Sequence, residues 1–298
     1  MDAYLISVLT FIAIWTMMAM SLNLLVGYAG QVSLGHAAFF GIGAYTEAVC
    51  TVNVPLPFPL DLVMAVLVSG AIGGFLGLPA LRVRHDFLVL ATIGINFIVV
   101  AIFRYTPALG GALGIVGIPP FEVGGIEFLG LNMLLLTLGL TAALFVAKWL
   151  LLRSWFGLRL MAIREDEDAA AAMGINTAST KIWAFVIASA VAGLAGAFYA
   201  RQLGSVFPDN FGFVESVSVL TMVVLGGPGT LIGPVIGAII IAGLPEYLRP
   251  IKEWRYVIYG IILVLLMIFE PEGLFGRGSH LRLWLGMIFG RRRKTEAA

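Results

Sequence analysis

Charged residues are scarce in this sequence. They make up 12% of the 298 residues, against about 25% in a typical soluble domain. Hydrophobic residues make up 60%, and the mean hydropathy is +1.01. This composition excludes a soluble globular protein and predicts an integral membrane protein in a lipid bilayer. The formal net charge is only +1, so we expect no nucleic-acid partner.

Cysteine and the common active-site motifs are almost entirely missing. The single cysteine, Cys50, has no second cysteine for an internal disulfide and is predicted to be a small buried apolar side chain. The glycine-rich stretch 227–230 is not followed by the lysine of a phosphate-binding P-loop, and neither HExxH nor GxSxG occurs. The three histidines lie far apart, at His36, His85 and His280. We therefore predict no catalytic site, metal or cofactor, and any ATP that drives the protein must bind another chain.

Long apolar runs fill most of the sequence instead. At about 20 residues per span, a chain of this length holds about eight or nine spans. We predict them at 4–27, 32–52, 60–81, 87–103, 131–152, 179–200, a divided pair at 214–226 and 229–244, and 255–270. The predicted fold is an all-α, polytopic transmembrane helical bundle, with broken or re-entrant helices, that forms a single domain over residues 1–298.

The distribution of Lys and Arg predicts which parts face the cytoplasm, because cytoplasmic loops carry more of both residues. The region 153–181 and the tail 271–298 hold most of these cations and are assigned to the cytoplasm. For the tail to end there, 214–244 must enter and leave the membrane as a hairpin that turns at 226–229. The loop 246–254 argues against this topology, because it carries two cations and yet is placed on the side of the membrane opposite the cytoplasm.

The segment 157–175 is the most informative part of the chain. It carries five consecutive charges, Arg164 to Asp168, each of which would cost about 2.5–3.5 kcal/mol at the centre of a membrane helix. The segment must therefore lie in water. We predict two short helices, the second running from near Asp166 to Met173 and ending at Gly174. A loop lying on the membrane is the alternative, but its polar face would carry Lys and Arg, whereas this run is mostly acidic.

These features favour a docking surface for a soluble partner. Its exposed face is predicted to be small and apolar, formed by Ala169, Ala170 and Met173, with charges around it. The residues assigned to docking are Gly157, Arg159, Ala162, Arg164, Glu165, Asp166, Ala169, Ala170, Met173, Gly174 and Ile175.

Glycines interrupt two other apolar regions. Between Ser21 and Tyr45 they break a run that also holds polar side chains, and 220–238 has a Gly/Pro break between two short limbs. Polar groups at membrane depth need partners or a watery cavity, and broken helices often supply substrate sites. Hydrogen bonding between helices is the alternative for the first region, and an ordinary kinked span is the alternative for the second. The residues assigned to a translocation path are Asn23, Gln31, Ser33, His36, Gly226, Gly227 and Gly229.

Four stretches together resemble a known family. They are SLNLLVGYAGQVSLGHAAFFGIGAY at 21–45, GLRLMAIREDEDAAAAMGI at 157–175, VLGGPGTLIGPVIGA at 224–238 and FEPEGLFG at 269–276. The chain resembles the branched-chain amino-acid ABC permease family, most closely its LivM-type members, from about Ser21 to Gly276.

The resemblance implies a multi-pass permease of the bacterial inner membrane that takes part in ATP-driven import of branched-chain amino acids. It also implies four partners: a second, homologous permease subunit, two cytoplasmic ATPase subunits and a periplasmic substrate-binding protein. In that family, the segment matching 157–175 is the cytoplasmic coupling loop that contacts the ATPase.

Three other functions remain as alternatives. Import of urea or short amides is the nearest, because related permeases have similar motifs. A secondary transporter would need buried carboxylates as ion sites, but Glu47 is the only acid well inside a predicted span. A membrane enzyme is disfavoured by the missing nucleophile and metal-ligand constellations.

Overall fold

A computed structural model describes residues 3–54, 56–80, 85–123 and 126–247, together with positions 257, 260, 261, 264 and 273–275. Most of these residues are helical. The helices are α1 (Ala3–Asn23), α2 (His36–Val52), α3 (Leu60–Ala80), α4 (His85–Tyr105), α5 (Leu131–Arg153), α6 (Trp155–Glu165), α7 (Glu167–Ala172), α8 (Thr177–Leu203), α9 (Phe213–Gly226) and α10 (Gly233–Tyr247). The predicted polytopic helical bundle is confirmed.

Among the described residues, six helical stretches are long and apolar enough to cross a membrane. They are Ala3–Tyr28, Leu60–Leu78, Phe87–Tyr105, Leu131–Arg153, Thr177–Leu203 and Pro208–Gly226. Each of the eight predicted segments before residue 245 corresponds to a helix. The segment 255–270 is described only at 257, 260, 261 and 264, which are helical, and the tail 271–298 lies outside the described residues except for 273–275.

The second predicted span begins later than expected. We predicted helix from residue 32, but α2 begins at His36, and residues 30–35 form an irregular connection. Gly30 has φ +68°, which a right-handed helix does not accommodate. Before this connection, α1 continues into a π-helical turn over Leu24–Tyr28. The first glycine-rich region is therefore a true helix break.

Helix α8 lies at the centre of the bundle, packed against α1, α2 and α3. The contacts depend on small residues, because a β-carbon on Gly196 would collide with the carbonyl oxygen of Phe40 in α2. Likewise, a β-carbon on Gly43 would collide with the backbone of Gly193. Ala188, Ala192, Gly196 and Ala200 recur at every fourth position along α8 and are all buried, as close packing between helices requires.

Helices α9 and α10 form the predicted hairpin. A β-carbon on Gly226 would collide with the carbonyl of Gly233, and one on Gly237 would collide with the carbonyl of Met222. As the chain advances along α9 it moves back along α10, so the two helices are antiparallel. The turn covers 227–232 and is therefore longer than the predicted 226–229.

The end of the bundle where α8 finishes carries small strands. Between the predicted spans 87–103 and 131–152, β1 (Ile115–Val116) pairs antiparallel with β4 (Ser205–Val206), and β2 (Phe121–Val123) pairs with β3 (Ile126–Phe128). Strands of two or three residues leave little signal in a sequence, because alternation cannot be recognised over so short a run.

Candidate functional site

The coupling segment, residues 157–175, folds as the two predicted short helices. Helix α6 ends at Glu165 and α7 begins at Glu167, with Asp166 between them in an extended conformation. The Asp166 carboxylate accepts a hydrogen bond of 2.9 Å from the backbone N–H of Ala169, which makes it the N-cap of α7. Glu167 and Asp168 follow in the first turn, where the helix dipole favours negative charge.

The end of α7 is fixed by Gly174. This residue has φ +84°, and its N–H donates to the carbonyl of Ala171 at 2.9 Å. The N–H of Ile175 donates to the carbonyl of Ala170 at 3.1 Å. These two bonds form a Schellman motif, which confirms the predicted role of Gly174 as the helix stop.

The predicted docking face is partly wrong. Met173 is 84% exposed and Ala169 is exposed, but Ala170 is only 5% exposed. The physical reason is the side of α7 that Ala170 occupies. Glu167, one turn earlier, forms an ion pair with Lys181 of α8, so the same side of α7 packs against α8. A large charged residue at position 170 would therefore disturb the segment itself rather than a docking surface.

The remaining predicted docking residues divide by exposure. Gly157 is buried, because a β-carbon there would lie about 2.5 Å from the backbone of Leu152. Arg159 and Glu165 are exposed, whereas Ala162 and Ile175 are half-buried. The exposed residues of the segment therefore include the small or apolar Ala169 and Met173 as well as the charged Arg159 and Glu165.

Arg164 has a different environment from the one its charged neighbours suggest. Its Nη1 donates a hydrogen bond to the carbonyl oxygen of Gly27, in the π-helical turn after α1. The same nitrogen lies where a β-carbon on Gly229 would be, in the α9–α10 turn. Arg164 therefore joins the coupling segment to both broken regions, which are far from it in sequence.

Asn23 joins the two broken regions to each other. Its side-chain amide donates to the carbonyl oxygen of Thr230 at 2.8 Å, and its side-chain oxygen accepts from the N–H of Gly229 at 2.9 Å. The side chain is fully buried. A β-carbon on Gly27 would collide with both Asn23 and Gly229. The predicted path residues Asn23 and Gly229 are thus in direct contact.

The other predicted path residues are also buried. The Nε2 of His36 is 2.7 Å from the hydroxyl of Ser21, and the hydroxyl of Ser33 accepts a weak 3.4 Å bond from the N–H of Gly35. Within the described part of the chain, His36 Nδ1 and the side-chain oxygen of Gln31 have no hydrogen-bond partner. Buried polar atoms of this kind are costly unless water or a ligand reaches them. Their place in a translocation path stays a prediction.

The end of α9 has a partner that sequence reasoning missed. The N–H groups of Leu274 and Phe275 donate to the carbonyl oxygens of Leu225 and Gly226, at 2.9 and 3.1 Å. These carbonyls belong to the last turn of α9, which has no partner within its own helix. Residues 273–275 of the closing motif therefore contact the end of α9 at Gly226 and Gly227.

Sequence reasoning also missed a buried ion cluster. Arg201, near the end of α8, pairs with Asp61 of α3 and, at 2.5 Å, with Glu47 of α2. All three side chains are at most 6% exposed. The predicted span 179–200 ends just before Arg201, but α8 continues to Leu203 and so carries Arg201 inside. The signal was present, because a carboxylate within an apolar span requires a partner.

Lys148 of α5 is a further buried cation that was not predicted. Its Nζ donates to the carbonyl oxygen of Met20 at 3.0 Å and lies 5.5 Å from the ring centre of Tyr28. Over the residues that the structure describes, no group of three or more His, Cys, Asp or Glu side chains could hold a metal ion.

Comparison with known families agrees with this geometry. The family described as the permease component of branched-chain amino acid transport systems matches residues 4–267. The chain belongs to this family. Together with the apolar helices, this membership makes the protein a multi-pass membrane permease.

Three individual relatives are also named as permeases of branched-chain amino acid transport. The permease protein LivM of the high-affinity branched-chain amino acid transport system of Salmonella typhimurium is 35% identical, over 90% of this chain and 69% of the relative. A probable LivM of Methanocaldococcus jannaschii is 25% identical over 90% and 92%. The permease protein LivH of Salmonella typhimurium is 24% identical over 88% and 91%. No solved structure matches this chain.

Proposed function

We propose that this permease is a transmembrane subunit of an ATP-driven importer of branched-chain amino acids in the bacterial inner membrane. The observation that carries the proposal is the coupling segment. It is a capped, charged helix pair with an exposed Met173, and Arg164 connects it to the broken membrane helices. A surface of this kind can receive motion from a soluble subunit.

The proposed partners follow from the family. Two cytoplasmic ATPase subunits would bind the coupling segment, because the sequence has no P-loop of its own. A second permease subunit is supported by the similarity to both LivM and LivH, two permeases named for the same transport system. A periplasmic binding protein would deliver the substrate on the opposite side.

In the proposed mechanism, ATP-driven closure of the ATPases displaces α6 and α7. The displacement changes the helix break at 24–35 and the α9–α10 turn, which face the same segment. The polar residues Gln31, Ser33 and His36 would then be opened alternately to the two sides of the membrane. ATP hydrolysis itself would take place on the partner chains.

The substrate is tested by uptake. The permease is purified with its genomically neighbouring transporter subunits and placed in proteoliposomes with ATP inside. Labelled leucine, isoleucine and valine are expected to accumulate only when ATP and the binding protein are both present. Accumulation of labelled urea or acetamide in their place would reassign the substrate while keeping the importer class. ATP-independent uptake driven by an ion gradient would refute the importer.

The docking surface is tested by Met173→Glu. Replacing an exposed apolar anchor with a charge is expected to weaken ATPase binding by about 2 kcal/mol, or roughly thirtyfold. The measurement is the ATPase concentration at which half of the permease is bound. Val116→Glu is the matched control, because Val116 is an exposed valine in β1, at the opposite end of α8. Equal ATPase binding by both variants would reject the coupling segment as the docking surface.

A further inference from the structure

The side chain of Arg164 contacts two separate parts of the membrane domain. Its Nη1 donates to the carbonyl oxygen of Gly27, and the same nitrogen occupies the space that a β-carbon on Gly229 would need. Its Cγ lies 3.3 Å from the position of a β-carbon on Gly30. One side chain from α6 thus fills the space between the helix break after α1 and the α9–α10 turn.

These contacts exist because the positions facing Arg164 are glycines. Gly30 and Gly229 have φ of +68° and +78°, a region that other residues rarely adopt. Gly27 has no room for a β-carbon, since Asn23 and Gly229 already fill that space. The glycines therefore create the cleft that receives the arginine.

Asn23 holds the two helix breaks together. Its two hydrogen bonds hold Gly229 and Thr230 beside the end of α1. The connection after Gly30 leads directly into α2, which begins at His36. A shift of Arg164 would consequently be transmitted to the predicted path residues through these hydrogen bonds and the connection at 30–35.

We propose that Arg164 is the positioning residue through which displacement of the coupling segment moves the two helix breaks. The inference rests on the proposed function, because it takes the displacement to come from the ATPases. Arginine suits the role, since its planar guanidinium offers several donors in a fixed arrangement. The carbonyl of Gly27 is suited to accept this hydrogen bond. It lies in a π-helical turn, where the hydrogen bonds depart from the regular α-helical pattern.

The test uses the assembled importer in proteoliposomes. Arg164→Met keeps a long side chain and removes every donor. Assembly with the ATPases is measured first, and stimulation and uptake are then compared per assembled complex. Stimulation of hydrolysis by the loaded binding protein, and uptake, should both fall at least about fivefold, the lower end of typical coupling between sites. Arg153→Met is the control and should behave as the parent, since Arg153 lies exposed over the ring of Trp149.

A second pair of variants tests the contact from the other side. Gly229→Ala places a β-carbon where the guanidinium lies and should lower stimulation in the same way. If both variants break one connection, the double variant will be no worse than the more severe single variant. Arg164→Lys keeps the charge on a single ammonium group and is expected to restore part of the stimulation.

The outcomes separate this inference from the proposed function. Parental uptake by Arg164→Met, or additive losses in the double variant, would overturn the role of Arg164. Loss of assembly in Arg164→Met would also overturn it, because a positioning residue acts after the subunits have assembled. If Met173→Glu binds the ATPases normally, the docking surface fails whatever Arg164 does.

Discussion

Asn23 is the residue on which the junction of the two broken regions depends. It is buried, and both polar ends of its amide bond the α9–α10 turn. In the sequence, Asn23 is one of several polar residues near glycines. The sequence alone does not distinguish hydrogen bonding between helices from a place in the translocation path. The structure gives it a packing role, because it joins the end of α1 to the α9–α10 turn.

Substituting Asn23 by alanine should destabilise the permease. The N–H of Gly229 and the carbonyl of Thr230 would each lose a buried partner, at a cost of about 1–3 kcal/mol per group. We expect a lower melting temperature of the purified permease in detergent. Ser218→Ala is the control, because the exposed Ser218 hydroxyl bonds only the carbonyl of Val214 in its own helix. Equal melting temperatures for the two variants would contradict this view of the junction.

At the scale of elements, α2, α3 and α8 are joined by the buried ion cluster of Glu47, Asp61 and Arg201. Arg201 also donates to the carbonyl oxygen of Pro119 at 2.8 Å, and its guanidinium lies 4.6 Å from the ring centre of Phe121. The cluster thus attaches the loop carrying β2 to the three helices. It also gives Glu47 a cationic partner, so this acid offers no support for an ion-coupled transporter.

Arg201→Met should therefore be strongly destabilising. Two buried carboxylates would lose their cation, and breaking a buried pair in this way typically costs about 3–5 kcal/mol. Arg104→Met is the matched control. Its ion pair with Asp209 is exposed on both sides, so the loss should be about 1 kcal/mol or less. Thermal unfolding of both variants in detergent gives the comparison, and similar melting temperatures would count against the cluster as a stabilising element.

The elements themselves were largely predictable, but their contacts were not. Apolar runs located α1, α3, α4, α5 and α8 because a membrane span needs about 20 apolar residues. Gly174 and Asp166 were recognisable because helix caps depend on local geometry. Arg164 is the one cation among the five consecutive charges, but its contacts are with glycines at positions 27, 30 and 229, which lie far from it in the sequence and are not revealed by a local pattern.

The burial of Ala170 was unpredictable for a related reason. Four consecutive alanines, Ala169 to Ala172, have no periodic difference that would reveal which side is buried. The pair of Glu167 and Lys181 decides it, and these residues belong to different helices. The partners of Arg201 were missed in the same way, since Glu47, Asp61 and Arg201 lie on three separate helices.

At the scale of the whole molecule, α8 runs from one end of the helical bundle to the other. It begins at Thr177, beside the coupling segment, and ends at Leu203, beside the strands. A helix of 27 residues is about 40 Å long, which is enough to cross the membrane. The coupling segment and the strands β1 and β4 should therefore lie on opposite sides of the bilayer.

Accessibility labelling tests this topology. Single cysteines are introduced at Val116, Met173 and Glu246 in a Cys50→Ala background. A membrane-impermeant thiol reagent applied outside should label positions 116 and 246, the latter because the hairpin returns α10 to the outer side. Position 173 should be labelled only after the membrane is permeabilised. Labelling of position 246 only from inside would refute the hairpin topology. Labelling of position 173 from outside, with position 116 labelled only after permeabilisation, would refute the orientation.

The bonds between Gly273–Phe275 and the end of α9 have a consequence for biosynthesis. Leu225 and Gly226 leave the ribosome well before Leu274 and Phe275, so their carbonyls stay without these partners while α10 is being made. The α9–α10 turn, and with it the cleft that receives Arg164, can reach its final form only once residue 275 has emerged. Nascent chains stopped before residue 273 should thus insert their helices and yet remain accessible to proteases at the turn.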